Sequence, residues 1–246
     1  MKSLKIAAVT LFVLWCALPL SALIHRRKAG PPPDDRCLSR ADVTGLPLIE
    51  LAAENPGDDT FAVMLSGDGG WRRIDEKITD DLRRNGIPVV GFLTPDFFRE
   101  RKTPAQCACA LERVIRTYAL RWHRSRVLLV GYSRGADVLP FMASRLPEDV
   151  RASIRLIVFM GLEPRIDFKY HSFLTFGLIK EPQFPVRPEV EKLRGLPMLC
   201  VFGEKEKDSI CHQLDPSLVT PLPEPGAHHF AGQYGEIAEA IRASMR

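Results

Sequence analysis

Residues 127–137 read Val127-Leu128-Leu129-Val130-Gly131-Tyr132-Ser133-Arg134-Gly135-Ala136-Asp137. An apolar run is followed by G-x-S-x-G and then by residues compatible with a helix. In that order the pentapeptide is a nucleophile elbow, a sharp strand-to-helix turn that lifts a serine hydroxyl clear of a sheet. The glycines are needed for steric reasons: side chains two before and two after Ser133 would collide with neighbouring elements. The turn also puts Ser133 at a helix N-terminus, where backbone N–H groups and the helix dipole favour an oxyanion.

Outward from the elbow, short apolar runs alternate with helical spacing. Pro47–Leu51, Phe61–Leu65, Ile87–Phe92, Arg126–Val130, Ile154–Met160, Leu196–Phe202 and Ser217–Leu222 read as strands. Trp71 to Asn85 has Ile74, Ile78 and Leu82 on one face and is closed by Gly86. Thr103-Pro104 opens a long helix to about Trp122, another follows the elbow to about Arg145, and Gly232–Met245 closes the chain. Apolar strands between helices predict an α/β fold, a mostly parallel sheet with helices on both faces. Ligands of such sheets bind at the carboxyl ends of the strands. Three loops there hold unusual residues: Ser66–Gly70, Gly131–Gly135 and Gly203–Cys211.

A serine nucleophile needs a base and a group to orient it. On this fold the expected order is serine, acid, histidine. The histidines after Ser133 are His171, His212, His228 and His229. Pro225-Gly226-Ala227-His228-His229-Phe230 lies between the last strand and the last helix, where the base belongs. His228 is chosen as base, which leaves His229 as a packing or substrate-facing residue. The acid belongs in the loop after Met198–Phe202. Asp208 is chosen because it precedes a small and then an aliphatic residue; Glu206, three after Gly203, is the runner-up. Glu204 to Lys207 otherwise reads as a solvated loop edge. The oxyanion donors are expected from the backbone of Arg134 and from Asp68 in the glycine-rich loop. That loop lacks the G-K-[ST] ending of a phosphate cradle, which disfavours an NTPase. No cofactor is called for.

The chain has 246 residues, 46% hydrophobic and 26% charged, the balance of a globular domain rather than a disordered one. The net charge is +4, but Lys2, Lys5, Arg26, Arg27 and Lys28 lie in the first 28 residues with no acid, which leaves the remainder one unit negative. A near-neutral body gives no case for nucleic acid. Ile6 to Ile24 is uncharged and apolar or small, behind Lys2 and Lys5. This is the pattern of a secretory signal, either cleaved near Ser21-Ala22 or retained as an anchor. Residues 1–28 are therefore read as signal peptide or N-terminal membrane anchor, 29–45 as a Pro-rich linker with Gly30–Asp35 as a stiff spacer, and 46–246 as the folded domain. Beyond the apolar run there are five cysteines, Cys37, Cys107, Cys109, Cys200 and Cys211. An odd number leaves a thiol free, and one or two disulfides suit an oxidising compartment, while Cys109 and Cys200 also read as small buried hydrophobes. Cys107-x-Cys109 has no second ligand pair, so no metal site is expected.

Five stretches carry a family resemblance: Ser66-Gly67-Asp68-Gly69-Gly70-Trp71, Ile87-Pro88-Val89-Val90-Gly91, Gly131 to Pro140, Gly203 to Cys211, and His228-His229-Phe230. Together they resemble the VirJ/AcvB family of bacterial virulence proteins, an α/β-hydrolase group. The resemblance implies a periplasmic location and a link to type IV secretion and T-DNA transfer. Two-domain members look like hydrolases of aminoacyl-phosphatidylglycerol that remove lysine from the lipid; this chain looks like the single-domain form. Arg134 is bulky for an elbow neighbour, and Gln233-Tyr234 stands where Asp-Tyr is expected.

The expectation is thus a periplasmic serine esterase that cleaves an aminoacylated phospholipid or another ester at the membrane surface. The alternative is an accessory factor of type IV secretion with little or no catalysis. Aminoacyl esters are cationic at the amine, so Asp68 and Asp137, which flank the elbow, are candidate substrate carboxylates, with His229 beside them. Asp137 also reads as a first-turn acid that complements the helix dipole. Asp167–Leu178, with Phe168, Tyr170, Phe173 and Phe176, reads either as a lid for an acyl chain or as a packed loop.

Overall fold

The structure, a computed structural model, describes residues 37, 42–55, 57–171 and 183–245. The apolar N-terminal run, the Gly30–Asp35 spacer, Phe173 and Phe176 lie outside these residues. Among the described residues no helix is long and apolar enough to cross a membrane.

The chain runs β1 (Leu48–Leu51), β2 (Thr60–Leu65), α1 (Arg73–Arg84), β3 (Val89–Phe92), α2 (Thr94–Phe97) and α3 (Pro104–Trp122). It continues with β4 (Arg126–Tyr132), α4 (Arg134–Ala143), α5 (Glu148–Arg151), β5 (Ile154–Met160), β6 (Arg165–Ile166) and β7 (Phe184–Pro185). It closes with α6 (Arg187–Glu191), β8 (Met198–Gly203), β9 (Thr220–Glu224) and α7 (Tyr234–Ser244). Seven strands form one sheet in the order β1-β3-β2-β4-β5-β8-β9, and β6 and β7 form a separate ribbon. Only β1 runs antiparallel to its neighbour in the large sheet. This is the α/β-hydrolase architecture expected from the sequence.

The apolar strands have no polar alternation because both faces are covered. Phe61, Val63, Leu65, Val127 and Leu129 belong to one core with Leu111, Val114, Ile115 and Met142 of α3 and α4. Ala62, Met64, Leu128 and Val130 belong to the other with Ile74, Ile78 and Leu82 of α1 and Ile237 and Ile241 of α7. The strand ends differ from the sequence reading by up to three residues, most at β9, which begins at Thr220 rather than Ser217. Hydropathy marks the buried run, whereas pairing decides where a strand stops. The ribbon β6–β7 was not foreseen; two residues per strand leave no periodic signal. Phe168 next to it is 2% exposed and packs edge-on against Phe141 and Phe184, so it is core rather than a surface for an acyl chain.

Two disulfides staple the body. Cys37–Cys109 ties the segment ahead of β1 to α3, where Val43 also packs on the core. Cys200–Cys211 joins β8 to the turn after the next loop. Cys109 and Cys200 are thus bonded, and Cys107 is the buried free thiol. The double replacement Cys200→Ser/Cys211→Ser opens a ring whose ends are 11 residues apart. It is expected to lower the unfolding free energy by about 3 kcal/mol. Thermal denaturation in the presence and absence of a dithiol reductant measures the loss.

Candidate active site

The elbow is built as the sequence requires. A side chain on Gly131 would lie 2.5 Å from the carbonyl oxygen of Gly135, and one on Gly135 would lie 2.3 Å from that of Leu65. Only hydrogen fits at either position. Ser133 has φ 53° and ψ −124°, a conformation costing about 1–3 kcal/mol for a residue with a side chain. It is held there by the Ser133 N–H, which donates to the Met160 carbonyl at 2.8 Å, and by the Asp137 N–H, which donates to the Ser133 carbonyl at 3.0 Å. Arg134 opens α4, so its N–H belongs to the first turn, where backbone donors have no partner within the helix.

The glycine-rich loop lies against this turn. A methyl on Gly67 would come within 3.1 Å of Ser133 Cβ. Buried Ser66 and Thr94 hold the loop from behind: the Ser66 N–H donates to Phe92, and Thr94 Oγ1 donates to the Ser66 carbonyl at 2.9 Å. Trp71 lies over Gly91, where a side chain would stand 2.5 Å from the indole. The blocks Ser66–Trp71 and Ile87–Gly91 are therefore two halves of one packing arrangement. The side chains of Asp68 and Arg134 form an ion pair above Ser133's turn.

The histidine loop reaches the same place from the far end of the chain. Its anchor is Phe230, fully buried and edge-on to Tyr132 with ring centres 6.2 Å apart. His228 is half-buried. Its ring centre lies 5.3 Å from that of Tyr132, the residue before Ser133. It also covers Gly161, where a side chain would stand 2.6 Å from His228 Cε1. Gly161 has φ +68° and directly follows Met160, the residue that binds the Ser133 N–H. His228 Nδ1 is hydrogen-bonded to the Glu206 carboxylate. In the neutral ring that bond fixes the proton on Nδ1 and leaves the lone pair on Nε2. The bond from Glu206 raises the pKa of His228 above the ordinary imidazole value, against the effect of burial.

This corrects the sequence expectation for the acid. Asp208 is exposed, and the carboxylate on the ring belongs to Glu206. The reason is a tight turn after β8. The Glu206 N–H donates to the Gly203 carbonyl at 2.8 Å, and the Gly203 N–H donates to Glu206 Oε2 at 3.1 Å. Position three after the glycine is thereby folded back to the strand end, while Asp208 has passed into solvent. His229 is exposed and pairs its Nδ1 with the Tyr132 hydroxyl at 2.8 Å. It supports the elbow's tyrosine, and the imidazole paired with a carboxylate is that of His228.

Asp137 is a second correction. It is 3% exposed, and its Oδ1 accepts the Glu163 N–H at 2.7 Å. Burial pushes its carboxyl well above the usual range. It fastens the loop after β5 to α4 and is shielded from solvent. That loop brings in Glu163, which the sequence reading missed. Burial raises the pKa of Glu163; the charge of His228 lowers it, and those of Asp208, Glu206 and Asp68 raise it further. Its one sequence signal is position, just past the carboxyl end of a buried strand. Among the described residues no group of three or more histidine, cysteine or acidic side chains is arranged to hold a metal ion.

Residues 59–246 match the family described as bacterial virulence protein (VirJ). The chain belongs to the VirJ family. Its fold is shared with solved α/β-hydrolases. Est1E from Butyrivibrio proteoclasticus matches with a TM-score of 0.57 at 14% identity, over 83% of this chain and 95% of its own. MenH from S. aureus matches at 0.57 and 12%, over 81% and 99%. The Pyrococcus furiosus esterase Pf2001 matches at 0.57 and 14%, over 81% and 89%. At these identities the likeness is one of fold. None of the curated proteins compared matches the chain.

In this VirJ-family protein the imidazole of His228 is expected to titrate above the unperturbed value of about 6.5. Removing the carboxylate charge with Glu206→Gln should move that midpoint down, because the group that favours the imidazolium is gone. Asp208→Asn should move it much less. Titration of the histidine ring resonances by NMR reads all three.

Proposed function

We propose that the protein is a periplasmic serine esterase that hydrolyses an aminoacyl ester such as lysyl-phosphatidylglycerol at the membrane surface. The observation that carries the reading is the His228–Glu206 pair over Gly161, beside a serine held at positive φ. Ser133 Oγ attacks the ester carbonyl carbon as its proton passes to His228 Nε2. The oxyanion is held by the backbone N–H groups of Arg134 and Asp68. Collapse breaks the bond to the alcohol, which leaves with the proton from His228. Water, deprotonated by His228, then releases the amino acid and restores Ser133. Glu206 keeps the imidazole oriented and stabilises its charged form.

Two features support the details. Glu206 and Glu163 act on the imidazole, and Asp68 and Asp208 act in turn on Glu163, a field that suits an acyl group carrying an ammonium. The charged start and apolar run, with two disulfides in the body, fit an exported protein. The reading needs no metal or cofactor and gives nucleic acid no part. An accessory role in type IV secretion is the outcome if the serine is inert.

Ser133→Ala should abolish labelling by a fluorophosphonate and cut ester turnover by about 10⁴-fold or more, with an unchanged melting temperature. Lipid extracts of cells lacking the protein should accumulate aminoacylated phospholipid by mass spectrometry. Absence of labelling in the native protein would sink the enzyme reading, and unchanged lipids would sink the substrate.

A further inference from the structure

Arg134 is the unexpected residue of the elbow. Its side chain is 6% exposed although it follows the nucleophile directly. Nε pairs with the Asp68 carboxylate, and Nη1 donates to the Asp167 carbonyl at 3.0 Å, with Asp167 Oδ1 at 3.6 Å. One guanidinium therefore joins three parts of the chain: the elbow, the glycine-rich loop and the segment after β6. A lysine at this position could not supply two N–H groups in a fixed fork to both acceptors.

A buried ion pair is weak evidence for stability. Desolvation offsets most of the attraction, and an apolar side chain of similar volume often does as well. Here the partner carboxylate is 45% exposed, so water can serve it if the arginine is removed. What the pair does provide is a fixed distance. Gly67 leaves little room for a side chain beside Ser133, but the loop then turns outward through Asp68, Gly69 and Gly70. Behind that turn, Thr94 and Ser66 hold its base. The turn is closed on itself by the Gly70 N–H, which donates to the Gly67 carbonyl at 3.0 Å, and the side chain that ties it across to the elbow at Asp68 is that of Arg134.

We infer that Arg134 is a positioning residue whose guanidinium, by gripping Asp68, sets the separation between the two backbone donors of the oxyanion hole. Its backbone N–H is one donor, and its side chain places the other. The inference rests on the esterase reading for its chemistry. Its geometric half, that the ion pair orders residues 66–70, stands separately.

The test uses the full-length chain in detergent with p-nitrophenyl butyrate as the probe ester. Arg134→Met removes the guanidinium at similar length. Asp68→Ala removes the exposed carboxylate, keeps the backbone N–H and carries little risk to folding. Each should lower kcat by about 10²-fold, the effect of losing one oxyanion donor, with KM within about twofold. The double variant should fall no further than the singles, because one contact is lost in all three. Backbone amides of residues 66–70 should exchange with deuterium faster in each variant. A merely structural arginine would lower the melting temperature and leave Asp68→Ala fully active. Unchanged kcat in Asp68→Ala, or losses that multiply in the double variant, would overturn the positioning role. If the native protein fails to turn over the ester, the esterase reading falls and the catalytic half with it. Unaltered exchange at 66–70 would then overturn the geometric half as well.

Discussion

The arrangement depends on one backbone conformation, that of Ser133 at φ 53°. A residue with a β-carbon does not rest there unaided. Two neighbouring strands hold it. On one side β2 ends level with the turn, Leu65 opposite Gly131, and the absent side chain of Gly135 lets α4 start against the Leu65 carbonyl. On the other side β5 ends at Met160, opposite Tyr132, and accepts the Ser133 N–H. The strain is small beside the burial of β2, β4 and β5, whose side chains are almost wholly shielded from water on both faces.

The same registers gather the other groups. Parallel strands of matched length finish at one edge, so the loops after β2, β4, β5, β8 and β9 share a small space. Each brings one kind of group: backbone donors from 66–70, the hydroxyl from 133, Gly161 as the floor beneath the imidazole, Glu206, and His228. The Cys200–Cys211 bond spans the loop with Glu206, and the Ile210 N–H donates to Leu162 in the neighbouring loop. Glu206 is therefore fixed at both ends of its loop and does not depend on the turn alone.

These facts also explain what the sequence could tell. The elbow, the strands through the middle of the sheet and α3 with its Thr103 cap were legible because each rests on local chemistry. Thr103 and Gln106 exchange hydrogen bonds within one turn. His228 was chosen over His229 without a decisive reason; the difference is made by Tyr132 and Glu206, 96 and 22 residues away. Glu206 was passed over because counting residues after a strand does not say how tightly the loop folds back. Asp137 was left between a substrate carboxylate and a first-turn acid because such an acid is ordinarily exposed, and nothing local shows that the loop after β5 covers it. The bulk of Arg134 after Ser133 is explained by Asp68 and Asp167, partners distant in sequence on which its guanidinium closes.

The charges around the imidazole do not all help the same step. Glu206 and Glu163 favour an imidazolium, and with the exposed Asp208 they suit a cationic acyl group. They oppose an alkoxide on the carbonyl oxygen by the same reasoning, since like charges repel. Arg134 does little to offset this from a distance, because its charge is already spent on Asp68. In the proposed reaction the oxyanion must therefore be stabilised by donors in direct contact, where a fixed N–H dipole outweighs the more distant carboxylates. A site with this balance of charge depends unusually on the spacing of two backbone amides. The same balance gives a residue as costly to bury as arginine a reason to stand next to Ser133.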